Sequence, residues 1–392
     1  MKVLQINSVC GYGSTGNIAV DLCHELEKYG HECCVAYGRG KAPDTVESYR
    51  IGTNMDVYIH GGLSRITDRQ GFYSTKATKQ FIHWMKEYNP DVVHLHNLHG
   101  YYMNIKVLFH ALKSMDKPVI WTLHDCWAFT GHCACFDYAK CMKWKNGCGN
   151  CPQKKEYPVS WFMDQSKKNY MDKKNIFCSL EKLEIITPSH WLKSLTEESF
   201  LGKYNIKVIH NGIDLTIFKP GTVAQKKNYG LEDKKVVLGV ANEWSARKGL
   251  GDFVRLARML PDSYSIVLIG HIKKKVEKLP DNLVLIQHTA SRTELAEWYS
   301  EAEVLFNPTY EDNYPTVNLE AQACGTPVIT YDTGGSPEGV KEYGGIVVQK
   351  GDIQTVAKLI RNEKRKKTPA GDIKQLSKER MIEEYLRCYQ EK

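Results

Sequence analysis

Two doubly wound parallel sheets in an α/β chain are the architecture this sequence predicts, and three observations carry it. Apolar runs of strand length alternate with helical patterns in two successive series, a Gly-rich turn follows the first run at once, and no low-complexity segment or short repeat intervenes. The first series has runs at Val3 to Ile6, Cys33 to Tyr37, Val92 to His96, Val119 to Leu123 and Leu183 to Thr187. The second begins after Asn211-Gly212-Ile213-Asp214, with runs at Val236 to Val240, Ile266 to Ile269, Leu283 to Gln287, Val304 to Phe306 and Val328 to Tyr331. A boundary is expected near residues 188 to 215, giving domains over 1–190 and 191–377. Ligands of open α/β sheets bind at the strand ends, so a cleft between the two domains is the expected active site.

Composition fits this size. A chain of 392 residues with 42% hydrophobic content suffices for two domains that each bury a core. The net charge of +8 suits nucleotide phosphates, an anionic membrane surface or nucleic acid, and does not choose among them. No apolar run approaches a bilayer-spanning length, and Met1-Lys-Val-Leu-Gln-Ile-Asn-Ser-Val9 reads as a buried strand rather than a signal peptide. The expected compartment is therefore the cytosol.

The most informative stretch is Tyr310-Glu-Asp-Asn-Tyr-Pro-Thr-Val-Asn-Leu-Glu320. The run Val304-Leu-Phe-Asn-Pro308 before it reads as a short buried strand, and a helix beginning at Pro315 ends at Cys324-Gly325. Thr326-Pro-Val-Ile-Thr-Tyr331 and Gly334-Gly335-Ser336-Pro337-Glu338 then complete a βαβ unit with its next loop. Asp312 or Asn313 is placed to cap the helix, and the backbone N–H groups near Thr316 and Val317 would meet an anion. Glu320 lies one turn after Thr316, so its carboxylate shares that face and would accept from sugar hydroxyls beside a bound phosphate.

With these residues in place, the sequence resembles the retaining glycosyltransferases of GT-B fold that use nucleotide-sugar donors. Their signature is two acids eight apart, then Glu-Ala, a small residue, Gly and a Pro-Val strand, matched by Glu320-Ala-Gln-Ala-Cys-Gly325-Thr-Pro-Val328. Asp312 stands eight residues before Glu320 and Glu311 nine, so register favours the first and residue type the second. The resemblance implies that the first acid lies near the transferred sugar and that Glu320 holds the ribose. It also implies that the last helix, Lys378 to Tyr389 within 378–392, crosses back onto the first domain.

Gly11-Tyr-Gly13-Ser-Thr-Gly16 matches a dinucleotide fingerprint, but the second strand ends in Tyr37-Gly38-Arg39 without the acid that a nicotinamide ribose needs. An Arg there would suit a 2′-phosphate. The resemblance gives the loop another use, close approach to the donor diphosphate and acceptor at Gly13 and Gly16. Two His-rich strand ends follow, Asp91-Val-Val-His94-Leu-His96-Asn97-Leu-His99-Gly100 and Trp121-Thr-Leu-His124-Asp125-Cys126-Trp127. His94 and His96 read as core histidines bonded to backbone in preference to metal ligands. The resemblance assigns donor-sugar contact to His124, with Asp125 expected to orient its ring.

In the second series, Asn242-Glu-Trp-Ser-Ala-Arg247-Lys248-Gly249 joins a strand to a helix and sets two cations near the expected diphosphate. Relatives carry an Arg five residues before the Lys; here that position is Glu243, and Arg247 is the nearby substitute. The donor-binding set is then Gly13, Gly16, Arg247, Lys248, Asn313, Tyr314, Thr316, Val317 and Glu320, with His124, Asp312 and Glu311 as catalytic candidates. The resemblance implies that these cations stabilise the leaving nucleoside diphosphate, so no catalytic metal is expected.

Six of the thirteen cysteines fall between Cys126 and Cys151, inside an insertion over 126–160. The C-x₂-C pair Cys148 and Cys151, with Cys133 and Cys141, forms a candidate structural zinc site, with Cys126, Cys135 and His132 as rivals; free thiols are the alternative in a reducing compartment. Trp127, Phe129, Lys143, Trp144 and Lys145 are candidates for shaping the acceptor side. The insertion, Leu63-Ser-Arg-Ile-Thr-Asp-Arg-Gln-Gly-Phe72 and His96-Asn-Leu-His-Gly-Tyr-Tyr102 narrow the resemblance to bacterial transferases of colanic-acid, capsule and O-antigen biosynthesis. It implies transfer of a hexose-type sugar from a nucleoside diphosphate to a growing, lipid-linked saccharide with retention. Such an acceptor implies peripheral docking on the inner leaflet, for which basic stretches such as residues 273–278 are available. Two rival readings are a sugar-nucleotide epimerase on the same fold and a zinc-containing nucleic-acid binder. Dispersal of the basic residues through both series argues against the second.

Overall fold

In the first half of the chain seven strands form one all-parallel sheet, and in the second half six form another. The computed structural model describes residues 1–221, 225–272, 279–362 and 371–391; the basic stretch 273–278 lies outside them. The first sheet comprises β1 (Lys2–Val9), β2 (Glu32–Arg39), β3 (Ser48–Arg50), β4 (Val92–Leu95), β5 (Val119–Thr122), β6 (Leu183–Thr187) and β7 (Asn205–Val208). Its helices are α1 (Gly13–Lys28), α2 (Asn54–Thr67), α3 (Thr75–Tyr88), α4 (Ile105–Met115), α5 (Ser166–Phe177) and α6 (His190–Glu197). The second sheet comprises β8 (Lys235–Trp244), β9 (Tyr264–Ile272), β10 (Leu283–Ile286), β11 (Val304–Asn307), β12 (Val328–Tyr331) and β13 (Ile346–Val348). Its helices are α7 (Gln225–Asn228), α8 (Leu250–Ala257), α9 (Arg292–Glu301), α10 (Thr316–Ala323), α11 (Glu338–Lys341) and α12 (Ile353–Asn362), and α13 (Lys378–Gln390) closes the chain.

The strand orders are β3-β2-β1-β4-β5-β6-β7 and β10-β9-β8-β11-β12-β13. Each sheet therefore winds outward in both directions from its first strand, and each has a switch point, between β1 and β4 and between β8 and β11. Loops at the carboxyl ends of those strand pairs are where such sheets bind ligands. The central strands are largely apolar because helices cover both faces. In β8, Val236 and Leu238 enter one core with Val267 and Leu305, whereas Val237 enters the other with Ile266 and Phe306. The sequence pattern missed β3, β7 and β13, which lie at or next to sheet edges and are three or four residues long. Short strands at that position lack the continuous apolar run that marks a central one.

The chain divides into one unit of Met1–His210 with Ile382–Lys392 and another of Asn211–Met381. The first unit thus extends past residue 190, because β7 pairs in parallel with β6 after the α6 connection. Tyr389 and Tyr385 of α13 reach the ends of β4 and β5, bonding His94 Nδ1 at 2.7 Å and Thr122 Oγ1 at 2.9 Å. Among the described residues no helix is long and apolar enough to cross a membrane.

Candidate active-site constellations

In the second unit, the β8–α8 and β11–α10 loops straddle the switch point and are tied together. Tyr310 N–H donates to Arg247 O at 2.8 Å, and the Arg247 guanidinium donates to Glu311 O at 2.8 Å. The Lys248 ammonium lies 2.5 Å from Asp312 Oδ2. Gly249 makes the approach feasible. Its φ is +75°, and a Cβ there would stand 2.3 Å from Pro308 O. Asp312 is also gripped from the next loop, where Gly335 N–H donates to its carbonyl at 3.1 Å.

The helix itself corrects one expectation. α10 begins at Thr316 after Pro315, and neither Asp312 nor Asn313 caps it. Asp312 Oδ1 instead accepts from Asn313 N–H at 3.0 Å within the loop, which leaves the other oxygen for Lys248. Thr316 and Val317 occupy the first turn, where backbone N–H groups lack intrahelical acceptors. Glu320 comes up beside them and accepts from Tyr299 Oη at 2.9 Å and from the Thr316 hydroxyl. Burial raises its carboxyl above the ordinary range, opposed by those hydrogen bonds and by Arg292. Tyr299 was not a sequence candidate; nothing in its surroundings in the chain marks a partner 21 positions away. Of the two rival acids, Glu311 is 2% exposed and Asp312 carries the ion pair. Tyr314 packs in the core around Leu319.

In the first unit, α1 starts at Gly13 with φ +64°, where an added Cβ would meet no atom within 4 Å. Gly16 is different. Its carbonyl accepts from Gly11 N–H at 3.1 Å, and a Cβ would press on Val9 and the Gly11 nitrogen. Gly16 therefore serves the turn's own packing, while Gly13 leaves room beside the β1 end.

The strand-end histidines form a buried ladder. His94 Nε2 meets Thr122 Oγ1 at 2.8 Å, His96 Nε2 meets Gln5 Oε1 at 2.9 Å, and His96 Nδ1 meets His124 Nε2 at 3.1 Å. His94 and His96 are core histidines, as the pattern suggested, but their partners are side chains rather than backbone. Gln5 Oε1 only accepts, so His96 carries its proton on Nε2 and His124 donates from its own Nε2. Burial holds His124 at about 4 and His94 at about 3, so both are neutral near neutral pH. Asp125 does not orient His124. Its carboxylate takes His99 Nε2 at 2.7 Å and Trp127 N–H at 2.9 Å, and His99 Nδ1 pairs with Tyr157 Oη at 2.8 Å. Gln5, a polar residue inside an apolar strand, was the available signal for this ladder.

Two readings of the Cys-rich insertion are corrected. Trp127, Phe129 and Trp144 are buried in the first core, so they fasten the insertion to its domain instead of lining an acceptor surface. Cys133, Cys141, Cys148 and Cys151 do line one small cavity with His132. Four thiolates on zinc stand roughly 3.8 Å apart. Among the described residues, no three of these sulfurs lie within 4.8 Å of one another, so the quartet does not fit a bound zinc. Cys148 Sγ instead accepts from Gly131 N–H at 3.2 Å, and the free thiols of Cys133 and Cys151 are hydrogen-bonded to each other. Elsewhere Cys23 of α1 and Cys33 of β2 form a disulfide, a pairing that the sequence reading did not anticipate.

Comparison with known proteins adds to this geometry. Residues 15–217, more than half of the chain, match the model of Glycosyltransferase Family 4, and residues 223–379 match Glycosyl transferases group 1. The colanic acid biosynthesis glycosyl transferase WcaC of Escherichia coli (strain K12) is 25% identical, with all of both chains covered. A D-inositol 3-phosphate glycosyltransferase of Mycobacterium sp. (strain KMS) is 31% identical over 35% of this chain and 34% of its own. Among solved structures, sucrose-phosphate synthase from Thermosynechococcus elongatus superposes with a TM-score of 0.71 at 17% identity, covering 99% of this chain and 98% of its own. Anabaena Alr3699/HepE in complex with UDP-glucose gives 0.68 at 14% identity with both chains covered in full. These structural likenesses establish the GT-B fold.

Proposed function

Because the chain belongs to glycosyltransferase family 4, with a group 1 domain in its second half, we propose that it transfers a hexose-type sugar from a nucleoside diphosphate to a growing, lipid-linked saccharide. The proposed setting is the cytosolic face of the membrane, in building a cell-surface polysaccharide of the colanic-acid, capsule or O-antigen kind. The observation that carries this reading is the cluster at the β8/β11 switch point, where Lys248, Arg247, Asp312 and Glu320 gather around the start of α10. Two cations and a helix amino terminus suit a diphosphate, and a carboxylate one turn along suits the ribose hydroxyls.

In the proposed reaction the bond from C1 to the β-phosphate oxygen breaks while the acceptor oxygen bonds C1 on the same face, which retains configuration. The acceptor proton passes to the departing phosphate oxygen. Arg247 and Lys248 stabilise the charge that develops on the diphosphate. Asp312 is proposed as the first acid of the pair, facing the transferred sugar, because it is ion-paired at the cluster whereas the Glu311 side chain is buried. His124 is proposed to contact the donor sugar as a neutral imidazole. Gly13 gives the diphosphate or acceptor close access to the β1 end.

The test is titration of the purified protein with UDP, GDP and ADP. UDP comes first because HepE has been solved with UDP-glucose. Micromolar binding of one nucleoside diphosphate, weakened in Glu320→Ala, is expected; binding of none, or equal binding by the variant, overturns the assignment.

A further inference from the structure

α2 is built inside out. Its inward residues include His60, Gly61 and Ser64, whereas Met55, Tyr58, Ile59, Leu63 and Ile66 point outward at helical spacing. The inner face is held by hydrogen bonds, with His60 Nδ1 meeting Ser74 Oγ at 2.8 Å and His60 Nε2 accepting from Gly71 N–H at 3.2 Å. The outer face carries large apolar groups instead of the charged ones usual on a solvated helix. Tyr58 is 75% exposed and Met55 64%.

A second apolar element adjoins it. Trp161, Phe162 and Met163 are consecutive and exposed, Phe162 to 71%. Their loop is fastened to the end of α2, where Trp161 N–H donates to Arg65 O at 2.6 Å and Met163 N–H to Ile66 O at 3.4 Å. Scattered single apolar residues on a surface are ordinary; a contiguous helix face plus loop of this size marks an interaction site.

We propose that α2 and the 161–163 loop together dock the protein on an anionic lipid bilayer. Trp, Tyr, Phe and long aliphatic side chains set in a basic surround are the composition that settles at the headgroup boundary. The surround is basic. Arg65 lies over the Trp161 ring, Lys154 Nζ donates to Phe162 O at 3.1 Å, and exposed Lys155, Lys167 and Lys168 follow the loop's flanks. Of the nearby acids, Asp56 closes the α2 capping box, and two are exposed, Glu156 and Asp164, the second accepting from Cys151 and Ser166 N–H; they are outnumbered by Arg65, Lys154, Lys155, Lys167 and Lys168. The inward polar face and outward apolar face set α2 along the bilayer plane. Docking of this kind gives a reason for the lipid-linked acceptor proposed above and rests on that reading only for its purpose.

The experiment is co-sedimentation of the full chain with vesicles of phosphatidylethanolamine and phosphatidylglycerol, and separately of phosphatidylcholine. Two double variants are compared, Tyr58→Ser with Ile59→Ser, and Trp161→Ser with Phe162→Ser; both replace exposed side chains, so unchanged melting and unchanged nucleoside-diphosphate binding are the fold and function controls. Binding to the anionic vesicles is expected, weaker on phosphatidylcholine and reduced about tenfold or more in each variant. No binding by the wild type, or wild-type binding by both variants, overturns the proposal. So does concentration-dependent dimerisation that both variants abolish without any vesicle binding, because a second copy would then be the occupant. Loss of nucleotide binding in Glu320→Ala with vesicle binding kept tests the function separately.

Discussion

Lys248 and Asp312, 64 positions apart in sequence, are joined by a 2.5 Å ion pair that links the β8–α8 loop to the β11–α10 loop. In the ligand-free protein the carboxylate balances the cation, and an entering diphosphate would replace it. On the proposed reaction, Lys248 would be the group whose interaction strengthens as charge moves onto the leaving phosphate. Lys248→Ala is expected to lower kcat by about 10² or more while the protein stays folded. A near-wild-type rate would remove Lys248 from the chemistry. Asp312→Asn keeps the loop's shape and is expected to impair turnover more than diphosphate binding, which separates the two partners.

Gly249 tests whether that loop geometry matters. At φ +75° with Pro308 O at 2.3 Å from a Cβ, Gly249→Ala must move backbone against backbone. A loss of about 1–3 kcal/mol in unfolding free energy is expected, together with weaker diphosphate binding as Lys248 shifts. Chemical denaturation and nucleotide titration of the same sample read both. Unchanged stability would mean that the two loops are not held at this distance in solution.

The buried histidines predict acid sensitivity. Burial holds His60 and His94 at about 3 and His124 at about 4, with His96 well below its ordinary value. Unfolded histidines titrate near about 6.5. Below that pH the unfolded chain takes up protons that the native state refuses, so the stability contribution is full above about 6.5 and is lost as pH falls toward the folded values. Denaturation at pH 7, 6 and 5 is expected to show stability falling, with His60→Gln lowering the slope by about one proton, or ~1.4 kcal/mol per pH unit. A flat profile between pH 7 and 5 would contradict neutral burial.

What the sequence reveals and what it hides divide along physical lines. Central strands, the turn at Gly11 and the Asp312/Glu320 spacing depend on local pattern, and the structure brings Lys248, Arg247, Asp312 and Glu320 to one switch point. The partners of those groups depend on contacts across the sheet. Asp125 selects His99 over its neighbour His124, Glu320 takes Tyr299, and Pro315 displaces the expected cap, none of which has a periodic signature. The aromatic residues of the insertion looked like an exposed lining because loop residues usually are; the core of the first unit absorbs them. In α2 the apolar spacing that would ordinarily face a core faces outward.

On the proposed function, Glu320 is expected to affect stability and binding with opposite signs. Its carboxyl is raised above the ordinary range by burial, so between the unfolded and folded values the native state binds the proton more readily than the unfolded chain. That contribution is complete below the unfolded value and is lost as pH rises through the folded one. Glu320→Gln keeps hydrogen-bonding capacity toward Tyr299 and has no charge to desolvate. In the ligand-free protein it is expected to match the wild type in stability near pH 4 and to exceed it at pH 8. Donor affinity should move the other way, falling about ten- to hundredfold, because a neutral amide replaces a charged acceptor for ribose hydroxyls. Melting curves at the two pH values and a nucleoside-diphosphate titration at pH 8 measure both effects. A variant less stable at pH 8 would mean that the carboxylate is stabilised where it stands, and undiminished affinity would mean that the ribose is held elsewhere.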